Sequence, residues 1–261
     1  MKVADVMSAP LRTVSSGKSV LHVSELMAEY RIGSLVVADA GRIVGIITSR
    51  DVRAAHPNRI VADAMTPDPI SVSHHMFAWE ALSLMEKKRI ERLVVTKAGD
   101  AVGIVTREAI VSRLAEWRDN MTKMYRSPYI HAVGEDRLNR RVPFQLLFLD
   151  LNRFGEVNKR YGHPVGDDMI RDYAGKLKSL CNEDDHVCRY AGDEFAIITT
   201  RPDADVRLMI DSLSQPIAVG PASLTASVGW LNDKIDPEFF QLPFRELLSR
   251  ASLKSSQAKI G

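Results

Sequence analysis

The stretch HVCRYAGDEFAIITT, residues 186–200, decides how the second half of this chain is read. Two apolar runs flank the small pair Ala191–Gly192, the pattern of a strand, a tight turn and a returning strand. Asp193 and Glu194 stand at that turn. Taken alone, the residues leave two readings open. The carboxylates either hold a hard cation and phosphates at a hairpin tip, or form only a polar turn between strands.

Outward from the hairpin the pattern is that of one domain. FQLLFLDL, residues 144–151, is a near-continuous apolar run, as in a strand buried on both faces. A helix follows over 167–180, another in ADVRLMIDSLSQ, a strand in ASLTASVGWL and a last helix in PFRELLSRASLKSSQAKI, residues 243–260. Strands interleaved with helices, plus one hairpin, predict an α/β (α+β) domain over 129–261 with a mixed central sheet flanked by helices.

The first half is a repeat. VADVMSAPLRTVS at residue 3 returns as VADAMTPDPISVS at 61, and GSLVVADAGRIVGIITSRDV at 33 returns as ERLVVTKAGDAVGIVTREAI at 91. The offset is a constant 58 residues, as from Met7 to Met65 or Thr48 to Thr106. Each unit reads as an extended lead-in, an amphipathic helix, two strands (35–38 and 43–47; 93–96 and 101–105) and a closing helix. Units this short bury little surface alone, so 1–57 and 58–112 are expected to pack face to face.

These repeats resemble a cystathionine-β-synthase-type (CBS) domain pair, a module that binds adenosine nucleotides such as AMP or ATP between its repeats. In that family a GI-T--D signature ends the second strand, its Thr and Asp reading a ribose. Gly45, Thr48 and Asp51 match it; in the second repeat Gly103 and Thr106 match, but Ala109 replaces the Asp. The resemblance implies a nucleotide in the first cleft and a weakened second one. Thr48 and Asp51 equally suit a helix cap.

No helix-breaker interrupts residues 108–126, where Ile110, Leu114, Trp117, Met121 and Met124 recur at intervals of 4, 3, 4 and 3. That spacing predicts a connecting helix at 113–128, either pairing with a second copy through a heptad seam or packing on its own core.

The second half resembles the GGDEF family, the diguanylate cyclase catalytic domain, through LLFLDLNRF, N--YGH--GDD, CRYAGDEFAI and ASVG in order. The family joins two GTP molecules, one on each of two facing copies, into cyclic di-GMP. The resemblance implies that Asp150, the carbonyl of Leu151 and Asp193 hold Mg2+ (or Mn2+), with Glu194 assisting, so that Asp193 and Glu194 are the catalytic carboxylates. It also implies that Asn158 and Asp167 read guanine, that Gly192 admits the nucleotide and that Lys259 binds phosphate. Asn158 and Asp167 each also suit a turn or helix cap.

The chain departs from the family pattern at several points. Ala191 replaces the first signature glycine, Asn152 an Asp, Gly155 a phosphate-facing lysine and Ser252 an Asp. Asn182 replaces the arginine of the R--D product-inhibition motif, while Asp185 remains. A further arginine is expected just where the sequence stops, at Gly261. The opening D-LTGL-NRR motif is matched only loosely by EDRLNRR at 135–141, which runs straight into the strand, so the usual first helix is expected to be missing. Two functions stay open: a CBS-regulated diguanylate cyclase of weak or conditional activity, or an inactive nucleotide- or protein-binding module.

Composition narrows the classes. With 261 residues, 45% hydrophobic content and a net charge of +2, the chain holds about two packed domains, and its charge is too balanced to argue for nucleic acid or an anionic membrane. No apolar run approaches a membrane span and the N-terminus lacks a signal-peptide core, so a cytoplasmic protein with free thiols at Cys181 and Cys188 is expected. The connecting-helix seam and the resemblance to a family that works as facing copies imply a homodimer, joined through that helix, the CBS pair or both.

Overall fold

Each repeat of the first half is built on one amphipathic helix. β1 (Thr13–Val14) leads into α1 (Val20–Tyr30), where Val20, Val23 and Met27 recur at helical spacing and are buried. Ser19 caps the start by accepting the His22 N–H at 3.2 Å, and Arg31 ends the helix in the left-handed conformation. β2 (Ser34–Asp39), β3 (Arg42–Thr48) and α2 (Ser49–Ala54) complete the repeat. The second repeat follows the same plan with β4 (Thr66–Pro67), β5 (Ser71–Ser73), α3 (Ala78–Lys88), β6 (Arg92–Lys97), β7 (Asp100–Thr106) and α4 (Arg107–Ala115). The computed structural model describes residues 1–259 and divides into two compact units, Met1–Glu116 and Trp117–Gly261.

The repeats of the first unit exchange their leading segments. β4, heading the second repeat, pairs with β3 through Ile46 and Thr66; Ser8, heading the first, bridges to Ile104 of β7. This crossing requires bare backbone on the receiving strand. A Cβ on Gly103 would lie 2.6 Å from the Ser8 carbonyl oxygen, and one on Gly45 would strike the Met65 side chain. The repeated motif glycines are therefore packing residues.

The second unit contains β8 (Tyr125–Arg126), α5 (Ser127–Asn139), β9 (Gln145–Leu151), α6 (Phe154–Tyr161), α7 (His163–Leu180), β10 (His186–Ala191), β11 (Glu194–Thr199), α8 (Asp203–Ser214), β12 (Ile217–Val219), β13 (Ala222–Leu224), β14 (Ala226–Leu231) and α9 (Phe244–Ala258). Its main sheet runs β14-β9-β11-β10-β8, antiparallel except for the parallel β10–β8 pair. The apolar run at 144–151 is its central strand: Leu147, Leu149 and Leu151 pack in one core with Met169, Tyr173 and Leu177 of α7. On the opposite face Phe148 meets Tyr190, and Phe244 of α9 packs against Gly134 of α5. Cys188 is buried in β10, and both cysteines are free. Among the described residues no helix is long and apolar enough to cross a membrane.

Two expectations are corrected here. No helix runs through 113–128: α4 stops at Ala115, and residues 117–124 form a compact turn before β8. Asp119 Oδ1 accepts the Thr122 N–H and hydroxyl at 2.8 Å each, a local alternative to helix that needs no Gly or Pro. Met121 and Met124 pack in the core of the second unit, so the heptad seam is not a helix face. Nor is the first helix missing. α5 precedes β9, with Pro128 in its first turn, where a proline starts a helix rather than stopping one. The EDRLNRR stretch is the end of α5 and the residues after it; Asp119, Met121, Thr122 and Met124 supply the D-LT-L pattern ahead of the helix. Lys123 takes its glycine position at φ +58°. The last helix, expected to reach residue 260, ends at Ala258; Ile260 and Gly261 lie outside the described residues.

Candidate active site and nucleotide clefts

The hairpin turn brings three carboxylates to the ends of neighbouring strands. Asp150 of β9 is registered opposite Glu194 of β11, and the Leu151 N–H donates to the Asp193 carbonyl at 3.3 Å. Leu151 itself is buried, so it offers only main-chain oxygen. Gly192 holds φ +41°, while Ala191 keeps an ordinary strand conformation, so the alanine in the signature costs the turn nothing. Burial, and after it the charge of Asp150, raise the Asp193 carboxyl above its usual range; Lys259 and Arg189 offset part of this. Burial followed by Asp150 and Asp193 raises Glu194 likewise.

Lys259 was expected on phosphate. Its Nζ lies 2.6 Å from Asp150 Oδ1. Among the described residues no three His, Cys, Asp or Glu side chains stand ready as a metal cluster. The donor set still fits a hard divalent cation: it is all oxygen, two members are held above their usual pKa partly by mutual repulsion, and a cationic group already rests on the third.

Asn158 of α6 packs against Gly166 of α7, the residue before Asp167. Asn158 Oδ1 is buried without a hydrogen-bond partner, and a Cβ on Gly166, next to Asp167, would collide with it. α7 starts at His163, four residues before Asp167, so Asp167 is not its N-cap. A buried carbonyl oxygen lacking a donor is costly unless something supplies one.

Sequence reading missed Arg189. Its Nε donates to the Gly192 carbonyl at 2.8 Å and its Nη1 to Asp119 Oδ1 at 3.0 Å, so one guanidinium ties the hairpin turn to the 117–124 turn. Burial alone would raise Asp119, but the hydrogen bonds from Thr122 and Arg189 hold it below the ordinary carboxylate range. The signal was the D-LT-L spacing at 119–124, obscured because lysine replaces its glycine. Asp185 of the product-inhibition motif pairs with Arg201.

The first unit holds two clefts whose linings correspond by the repeat offset. One, of about 480 Å³, is lined by Thr48, Asp51, Ile70, Arg89 and Arg92 among others; the second, of about 390 Å³, by Thr106, Arg12, Arg31 and Ser34. Thr48 donates its N–H and hydroxyl to Asp51 Oδ2 at 2.8 and 2.7 Å, so the pair caps α2 and also faces the cleft. Thr106 caps α4 alone, accepting the Ala109 N–H at 3.2 Å.

Family models match residues 3–58 and 61–116 as CBS domains, and residues 117–237 as the diguanylate cyclase GGDEF domain. The chain is a CBS-domain pair followed by a GGDEF domain. An inosine-5′-monophosphate dehydrogenase of Korarchaeum cryptofilum is 33% identical over 178 residues, 64% of this chain and 37% of that protein. The cyclic di-GMP phosphodiesterase NbdA of Pseudomonas aeruginosa is 32% identical over 121 residues, 44% of this chain and 15% of its own length. A solved CBS domain pair, crystallised with 5′-methylthioadenosine and S-adenosyl-L-methionine, is 29% identical with a TM-score of 0.41, covering 44% of this chain and 96% of that one. The chain thus spans well under half the length of the curated relatives it matches.

Proposed function

We propose that this chain is a cyclic di-GMP signalling protein in which an adenosine nucleotide in the CBS pair regulates a GTP-binding diguanylate cyclase site. The observation that carries this reading is the meeting of Asp150, Asp193 and Glu194 on adjacent strand ends. Magnesium or manganese bound there would supply Lewis-acid polarisation of an α-phosphate. Asn158 Oδ1 accepts from a guanine N–H, and Asp167 takes a second donor of the same edge. Lys259 exchanges Asp150 for phosphate when nucleotide arrives.

The reaction is attack of one GTP's 3′-hydroxyl on the α-phosphate of the other, with loss of pyrophosphate. A second attack in the reverse sense closes the ring. It needs two facing copies, so the active form is a homodimer. The CBS pair is its assembly surface, because residues 113–128 form no pairing helix. In the first cleft Thr48 and Asp51 read the ribose of AMP or ATP, with Arg89 and Arg92 toward its phosphates. A protein that works on GTP and adenosine nucleotides suits the cytoplasm, where both are abundant.

A second reading, nucleotide or partner binding without turnover, is favoured by Lys259 resting on Asp150. Asn152 favours it too, its side chain being spent on Thr225 and Ser227. Incubation of the full chain with GTP and magnesium, with and without AMP or ATP, separates the two. Cyclic di-GMP that disappears in Asp193→Ala supports turnover; bound GTP with no product under any nucleotide sinks it.

A further inference from the structure

The sequence lacks a phosphate-facing lysine at Gly155, yet α6 and its N-cap residue Arg153 carry cations elsewhere. The helix has two distinct sides. Phe154 and Asn158 face Gly166 of α7, whereas Arg153, Glu156, Val157 and Arg160 line a cavity of about 600 Å³ on the side of β13. Lys259 lines the same cavity, and its Nζ is 2.6 Å from Asp150 Oδ1. The cavity therefore begins where the carboxylate cluster ends.

Apart from Lys259, its cations are free of carboxylate partners among the described residues. The Arg153 side chain forms no ion pair or hydrogen bond among the described residues, only its carbonyl accepting the Glu156 and Val157 N–H groups, and the Arg160 side chain rests only on the Tyr161 ring, 5.2 Å from its centroid. Glu156 is the one carboxylate on the wall among the described residues, against three cations. The hydroxyls of Ser223 and Thr225 complete a polar lining. Guanidinium groups suit phosphate because they offer paired donors in a planar fork.

We infer that the β- and γ-phosphates of a guanine nucleotide run from the carboxylate cluster into this cavity, where Arg153 and Arg160, with Lys259, supply the positive charge that the sequence lacks at Gly155. The inference rests on the guanine-nucleotide reading above. It assigns Arg153 and Arg160 as binding residues for the triphosphate and not for the base.

The test compares GTP and GMP binding to the full chain by calorimetry with magnesium. Asn158→Ala, which removes the guanine contact, reports binding at any other nucleotide site. The doubly substituted Arg153→Gln/Arg160→Gln chain is expected to lose roughly ten- to a hundredfold in GTP affinity, the worth of one or two charge-assisted contacts, with GMP unchanged. The Arg153→Lys/Arg160→Lys chain should recover part of that loss, and Lys159→Ala, an exposed neighbour outside the cavity, should lose nothing. Unchanged GTP affinity in the Gln chain, or an equal loss in Lys159→Ala, overturns the inference while the guanine-nucleotide reading stands. Wild-type binding of GTP and GMP no better than that of Asn158→Ala overturns both. Arg153, Lys159 and Arg160 are exposed and Asn158 is half-buried, and a thermal melt matching wild type confirms that each of the four substituted chains is folded.

Discussion

Gly192 and Ala191 show how much one backbone angle decides. Only Gly192 holds positive φ, and the space around it is open, so Gly192→Ala meets no clash and costs the strain alone. A loss of about 1 kcal/mol in urea unfolding is expected, whereas Ala191→Gly should leave guanine-nucleotide binding unchanged. His186 belongs to the same scale. Burial, and then the nearby Arg137 charge, push its pKa down to about 4, and its Nδ1 lies 2.7 Å from the Tyr129 hydroxyl. The folded pKa lies below the unfolded value of 6.5, so the unfolded chain binds the proton more readily. The stabilisation is complete above 6.5 and falls as pH drops from there toward 4. His186→Gln should flatten that part of a melting-temperature profile; an unaltered slope would exclude His186 as its source. The sequence gives no sign of this pair, because Tyr129 and His186 stand 57 positions apart and meet only through packing of α5 on β10.

At the scale of elements, local chemistry was legible and alternatives to helix were not. α1 and α3 follow from apolar spacing, and β9 from an unbroken apolar run, since burial on one side or on both writes itself into periodicity. Residues 108–126 misled because a heptad spacing was satisfied by two unrelated cores. Ile110 and Leu114 are buried in α4 of the first unit; Met121 and Met124 pack in the second. Between them Asp119 holds its turn through Thr122 and Arg189, and periodicity carries no record of such a capped turn. The Asp119–Arg189 pair is mostly buried, with side chains 16% and 13% exposed. Asp119→Ala leaves that guanidinium without its charged partner, though still on the Gly192 carbonyl, and should destabilise the second unit by about 2–3 kcal/mol in chemical unfolding. Because Arg189 also holds the Gly192 carbonyl, guanine-nucleotide binding should weaken in the same variant. Full stability in Asp119→Ala would show the tie to be incidental.

Over the whole molecule, duplication has produced two clefts from one plan and then separated them by substitution. The repeat made the pairing of the two halves of the CBS module readable, and the grouping of Asp193 and Glu194 beside Asp150 was readable because one motif holds two of the three carboxylates. The reciprocal exchange of leading segments was not, since it joins Ser8 to β7 across most of the module. The differences between the clefts predict unequal occupancy. Asp51 has Ala109 as its counterpart, Arg92 has Ser34, and Ile70 has Arg12, so only the first cleft combines a carboxylate beside its threonine with Arg89 and Arg92 opposite. Calorimetry with AMP or ATP is expected to show one site per chain. Asp51→Asn keeps an oxygen for the Thr48 N–H and so retains much of the α2 cap, but it loses the carboxylate charge proposed to accept ribose hydroxyls. If Asp51 reads the ribose as proposed, that variant should bind at least roughly tenfold more weakly, the cost of one charge-assisted hydrogen bond. Thr106→Ala, in the second cleft, should bind as wild type does. Two equivalent sites, or equal affinity in Asp51→Asn, would mean that Asp51 serves the helix and not the ligand.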